Sequence, residues 1–195
     1  MRQAARSLLA CALFFGLVSF AGCRETRSAE SDTLALDTAG GWSEPAVFGF
    51  ADAAFALLLN DSEIGIRSAK RAPVRQLATR MQRDYRALAS RTDSLSDRRG
   101  VVPRSPPGVD FAMQHRSAAS DLRNEAQQPF DDRYLDHVVT GHQRIMDRMY
   151  EALSAAQDDS VRRLLEDAQR RLETNMADAT RLKAQGTRAP TRRRP

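Results

Sequence analysis

Residues 130–153, FDDRYLDHVVTGHQRIMDRMYEAL, begin just after Pro129 and run to the acidic break Gln157-Asp158-Asp159. Leu135, Val138, Val139, Ile145, Met146, Met149 and Leu153 recur at steps of three and four. That spacing predicts a helix with one buried side, because 3.6 residues make a turn and only one stripe can face a core. His142 falls inside the stripe, four residues after Val138 and seven before Met149. A titratable ring among apolar neighbours either bonds to another buried polar group or lies at the stripe's edge in contact with water.

Three further stretches carry the same periodicity. Ser43-Glu44-Pro45, a hydroxyl cap followed by proline, predicts the start of a first helix burying Val47, Phe50, Ala54, Leu57, Leu58 and Ile64. Pro73 opens a second helix through Val74, Leu77, Met81, Leu88 and Leu95, with Tyr85 on the same seam. The turn Asp158-Asp159-Ser160 suits the positive end of a helix that buries Val161, Leu164, Leu165, Ala168, Leu172, Met176, Ala179 and Leu182. This helix is expected to stop at Gln185-Gly186, and its Arg162/Glu166/Arg170 and Arg163/Asp167/Arg171 ladders are read as exposed pairs. The proline-rich stretch from Gly100 to Gly108 is a loop, and a short helix carrying Phe111, Met113, His115 and Leu122 is expected over 109–125. Asp131 is placed to cap the third long helix. No stretch reads as a strand, so the fold class is all-α: an antiparallel four-helix bundle with one short extra helix before the third long one.

Outside the bundle, residues 1–22 join Arg2 and Arg6 to the apolar run LLACALFFGLVSFAG, the pattern of an export signal. Phe20-Ala21-Gly22-Cys23 resembles a bacterial lipobox, which implies acylation of Cys23 and attachment to a membrane. Arg24 after the cysteine implies, by the same resemblance, sorting to the outer membrane; an ordinary secretory signal cut nearby is the alternative. Residues 23–42 read as a flexible tether with a mean reach of roughly 25 Å, 43–186 as the bundle, and 187–195 as a disordered basic tail.

The pI of 9.8 suggests a nucleic-acid binder until the charges are located. Two arginines lie before residue 23 and four after 187; the remainder holds 24 basic against 25 acidic residues. A nearly neutral folded part excludes a nucleic-acid groove. Arg192, Arg193 and Arg194 are expected either to touch anionic lipid or another polyanion, or only to keep the end of the chain solvated. With Cys11 in the signal and Cys23 acylated, no internal disulfide is available.

In order along the chain, Ser62-Glu63-Ile64-Gly65, Pro73-Val74, Leu77-Ala78-Thr79-Arg80-Met81, Asp84-Tyr85, Phe130-Asp131, Tyr134-Leu135, His142, Leu172 and Asn175 resemble domain-of-unknown-function family 4142. The likeness covers roughly 48–182 and implies a ferritin-like helical bundle in proteins often described as predicted outer membrane proteins. Family members commonly carry histidine where this chain has Tyr85 and Asn175, whereas Glu63 and His142 match. The resemblance thus singles out Glu63, Tyr85, His142 and Asn175.

These four side chains are expected to form a hydrogen-bonded polar layer that sets helix register. The competing reading is a metal-binding or redox-stress protein in which Glu63 and His142, with Tyr85 as an oxygen ligand, gather an ion. Ferritin-like di-iron centres require Glu-x-x-His pairs, and Val139, Gln82 and Leu172 stand where those glutamates would be. His137 is five residues from His142, about 140° around the helix, and cannot share its face. Met81, Met146, Met149 and Met176 at helical spacing read as core filler. No phosphate loop, HExxH or nucleophile beside a base is present, so no catalytic residue, metal or cofactor is expected. The sequence thus points to a lipid-anchored, non-enzymatic structural or interaction module of the bacterial envelope.

Overall fold

A computed structural model describes residues 41–106, 108, 120, 122 and 129–188. Four helices account for nearly all of them: α1 (Glu44–Ser68), α2 (Ala72–Arg99), α3 (Phe130–Ala155) and α4 (Asp159–Arg188). No strand occurs among the described residues. The signal segment, Cys23, the tether up to residue 40 and Arg192–Arg194 lie outside them. So does the expected short helix over 109–125, His115 included, apart from Ser120 and Leu122, which are both helical.

Contacts at the helix ends give the topology. Asp131, at the start of α3, accepts hydrogen bonds from the backbone N–H groups of Lys70 (2.8 Å) and Arg71 (2.7 Å), between α1 and α2. Arg71 also donates to the Leu182 carbonyl late in α4, at 3.3 Å. At the opposite end Arg99, closing α2, joins Glu44 at the start of α1 (2.6 Å) and Asp158 before α4 (2.5 Å). α1 and α4 therefore run one way and α2 and α3 the other. Around the bundle the order is α1, α2, α4, α3, so every adjacent pair is antiparallel. Because α2 and α3 are parallel, the chain between them must travel the length of the bundle. One long crossover of this kind distinguishes ferritin-like bundles from simple up-and-down ones.

Most of the expected stripes form the core, with Leu95, Val139, Leu153, Met176 and Leu182 only partly buried at its margin. Phe50, Ala54, Leu58, Leu77, Met81, Leu88, Leu135, Ile145, Met149, Leu164, Leu165 and Leu172 are all buried. α1 is buried more broadly than its stripe predicted: Phe48 and Phe55 are inside, while Leu57 and Ile64 are only partly covered. The start of the crossover explains part of this. The Arg104 N–H donates to the Pro45 carbonyl at 2.9 Å, and its backbone lies directly on Gly49, where a Cβ would meet Arg104 O at 1.9 Å. Only glycine allows that approach.

Several end details differ from expectation. Ser43 is the N-cap of α1, but its hydroxyl makes no capping bond; its carbonyl accepts from Val47 N–H instead. Pro129, not Asp131, caps α3. Two residues into that helix, the Asp131 carboxylate points away from its own first turn, to the chain entering α2. Trp42 belongs to the bundle rather than the tether: its indole donates to Glu151 at 2.7 Å and its ring meets Phe50 edge-on at 5.1 Å. α4 continues through Gly186 to Arg188, and the Arg71 guanidinium lies over the glycine, where a Cβ would have met Nη1 at 2.1 Å. The arginine ladders of α4 reach across to α2, since Asp167 pairs with Arg91 and Arg171 with Asp84.

Candidate functional site

Halfway along the bundle the apolar core is interrupted by three polar side chains from three helices. Tyr85 sits one turn after Met81 and three residues before Leu88 on the inward stripe of α2. His142 lies between Val138 and Ile145 on α3, and Asn175 between Leu172 and Ala179 on α4. Their exposures are 0%, 1% and 2%. Asn175 Nδ2 donates to Tyr85 Oη at 2.9 Å, and Tyr85 Oη lies 2.7 Å from His142 Nε2. The phenol oxygen accepts from the amide, so its own hydrogen goes to Nε2. His142 is then neutral, with its proton on Nδ1.

Burial, the largest influence, lowers the His142 pKa to about 4, and the charge of Asp61 opposes it. The Val138 carbonyl one turn back also favours the protonated ring, yet Nδ1 is buried without a hydrogen-bond partner of proper geometry. Burial likewise pushes the Tyr85 phenol far above its ordinary range, with the Asn175 hydrogen bond pulling the other way. All three members are therefore uncharged at neutral pH, the state in which this chain of hydrogen bonds is self-consistent.

Glu63 is not part of this layer. Its side chain is 47% exposed and faces Arg67 on the outside of α1 at 3.6 Å. The inward positions one turn after Leu58 are Asp61 and Ser62, at 3% and 0% exposure. Counting three and four from Leu58 reaches 61 and 62, whereas 63 points away; this is the signal that would have identified them. Ser62 returns its hydroxyl to the Leu58 carbonyl at 2.6 Å. Asp61 Oδ2 lies 2.9 Å from His137 Nε2, joining α1 to α3. His137 and His142 do face different neighbours: one meets Asp61, the other Tyr85. Near Asp61, the ring of Tyr134 fills the space left by Gly65, where a Cβ would fall 2.3 Å from its Cζ. The Tyr134 hydroxyl is buried without a hydrogen-bond partner.

These donors do not fit the di-iron centre that a ferritin-like bundle brings to mind. Such a centre needs carboxylates and imidazoles converging from four helices. Here the mid-bundle layer is a phenol, an amide and one imidazole, bonded to one another. Among the described residues no three His, Cys, Asp or Glu side chains gather as ligands. Nor is any described helix long and apolar enough to cross a membrane.

No curated protein and no solved structure matches the chain. A family model does: the one described as Domain of unknown function (DUF4142) matches residues 51–182, from the first turns of α1 to the last turns of α4. Within that span lie Tyr85, His142 and Asn175, the Asp61–His137 pair and the Asp131 clamp, so the part of the chain that builds the bundle belongs to the DUF4142 family.

Proposed function

We propose that this is a lipid-anchored protein of a bacterial envelope, facing the periplasm from the outer membrane, whose bundle is a non-enzymatic structural and interaction module. The observation that carries the non-enzymatic part is the Asn175–Tyr85–His142 chain. Its amide nitrogen, phenol oxygen and imidazole Nε2 bond to one another inside the core, as a layer that sets helix register does. The Phe20-Ala21-Gly22-Cys23 motif supports the anchor, since diacylation of a single cysteine suffices for stable membrane attachment.

Expression in a two-membrane bacterium fed labelled palmitate tests the anchor. Label should enter the wild-type protein and co-fractionate with the outer membrane. Cys23→Ala should lose the label and leave the membrane fraction; an unlabelled wild type would refute the anchor. Metal analysis of protein purified without chelator tests the module. A stoichiometric transition metal, lost on His142→Ala, would replace this reading with a metal-binding one.

A further inference from the structure

Of the three tyrosines, only Tyr85 has a nitrogen base on its hydroxyl among the described residues. Tyr134 is buried with its hydroxyl unpartnered, and Tyr150 is 57% exposed at the surface. This difference has chemical weight. Removing one electron from a phenol makes its O–H strongly acidic, and a phenol radical cation in an apolar core carries the heavy cost of an unpaired buried charge. A buried tyrosine is therefore oxidised readily only if its proton leaves in the same event, along a hydrogen bond to a base already in place. His142 Nε2, neutral and 2.7 Å away, is such a base. Asn175 holds the phenol oxygen from the other side at 2.9 Å and keeps a donor on it throughout. The imidazolium formed would have the Val138 carbonyl beside Nδ1 and the negative Asp61 nearby on α1.

We propose that Tyr85 is a redox-active tyrosine, a stoichiometric trap for oxidising equivalents, with His142 as its proton acceptor. A one-electron oxidant at the bundle surface, of the high-valent metal-complex or peroxide-derived radical class, takes one electron from the Tyr85 ring. The Oη–H bond breaks and an Nε2–H bond forms, leaving a neutral phenoxyl and a His142 imidazolium. A one-electron reductant such as a thiolate or ascorbate later returns the electron, and Nε2 gives the proton back to the oxygen. Burial serves the trap: at 0% exposure the phenoxyl is screened from water and from a second radical. The anchor plays no part in this inference.

The experiment uses the full-length chain, a flash-generated tris(bipyridine)ruthenium(III) oxidant and electron paramagnetic resonance. The wild type should give a long-lived phenoxyl signal that Tyr85→Phe abolishes while Tyr134 and Tyr150 remain. His142→Gln keeps a hydrogen-bond acceptor but removes the base. It should slow formation of the radical by about a hundredfold, the scale of a lost general base. Persistence of the long-lived signal in Tyr85→Phe, or an unchanged rate in His142→Gln, overturns the proposal. If His142→Gln does not fold, the wild type in heavy water decides: slower oxidation supports coupled proton transfer, and an equal rate refutes it.

Discussion

His142 shows most directly how placement controls the chemistry of a side chain. In the unfolded chain its imidazole titrates near the ordinary 6.5, while in the core burial lowers this to about 4. As pH falls through that window the unfolded chain takes up a proton that the native state refuses, so native stability decreases with acidification. The contribution is complete above pH 6.5 and is lost by about pH 4, with a total on the order of 3 kcal/mol. Urea denaturation at pH 7 and pH 4.5 should show most of this loss in the wild type, and His142→Gln should remove that component. A second contrast separates two neighbouring acids on α1. Glu63→Ala should change stability by less than about 0.5 kcal/mol, since an exposed ion pair contributes little. Asp61→Ala should cost about 2–4 kcal/mol, because it leaves a cavity and deprives the part-buried His137 of its partner. Equal denaturation midpoints for the two variants would contradict the geometry.

Among the elements, the α1–α2 turn depends on a residue more than sixty positions beyond its start. Arg75 in the first turn of α2 donates to the Ala69 and Lys70 carbonyls at 2.8 and 2.7 Å, but the N-cap Arg71 makes no side-chain capping bond, so the amides of the turn need an acceptor from elsewhere. The Asp131 carboxylate does that work from α3 and also meets Arg71 Nε at 3.3 Å, while Asp132 takes Nη2 at 2.9 Å. Asp131→Ala removes two charge-assisted bonds to backbone N–H groups and should destabilise the bundle by about 3 kcal/mol. Hydrogen exchange should report the loss first at Lys70 and Arg71, the two amides it satisfies. Uniform exchange along α1 and α2 would instead mean that the turn does not depend on the carboxylate. At the opposite end Gly100, with φ of 64°, closes α2 while Val101 N–H reaches back to the Ser96 carbonyl at 3.0 Å. This left-handed ending turns the chain into the crossover without a side-chain partner.

For the molecule as a whole, ion pairs trim the outside and apolar burial does the holding. Along the α2–α4 seam Arg80 meets Asp178, Asp84 meets Arg171 and Arg91 meets Asp167, with acidic and basic groups alternating between the two helices. Partly exposed pairs of this kind contribute about 0–1 kcal/mol each and are screened by salt. Raising sodium chloride to about 1 M should therefore lower the thermal midpoint by no more than a few degrees. A drop much larger than that would make the seam electrostatic rather than hydrophobic.

What the sequence determined by itself is whatever a helix's own periodicity can express. Steps of three and four around Leu77, Met81 and Leu88, or Val138, Ile145 and Met149, decide which side of each rod is apolar before any other rod is present. That was sufficient to anticipate four helices, an all-α bundle and the inward-facing Tyr85 and His142; Asn175, passed over by a stripe that ran from Leu172 to Met176, came through family likeness. Glu63 entered that set through family likeness, against the period of its own helix; the same period turns Asp61 and Ser62 inward. Tertiary structure alone decided which polar groups meet. Asp131 clamping the α1–α2 turn, His137 facing Asp61 and Arg71 lying over Gly186 all depend on how far each helix is rotated and slid against its neighbours. Those two quantities come from packing between surfaces distant in sequence, and no local spacing encodes them.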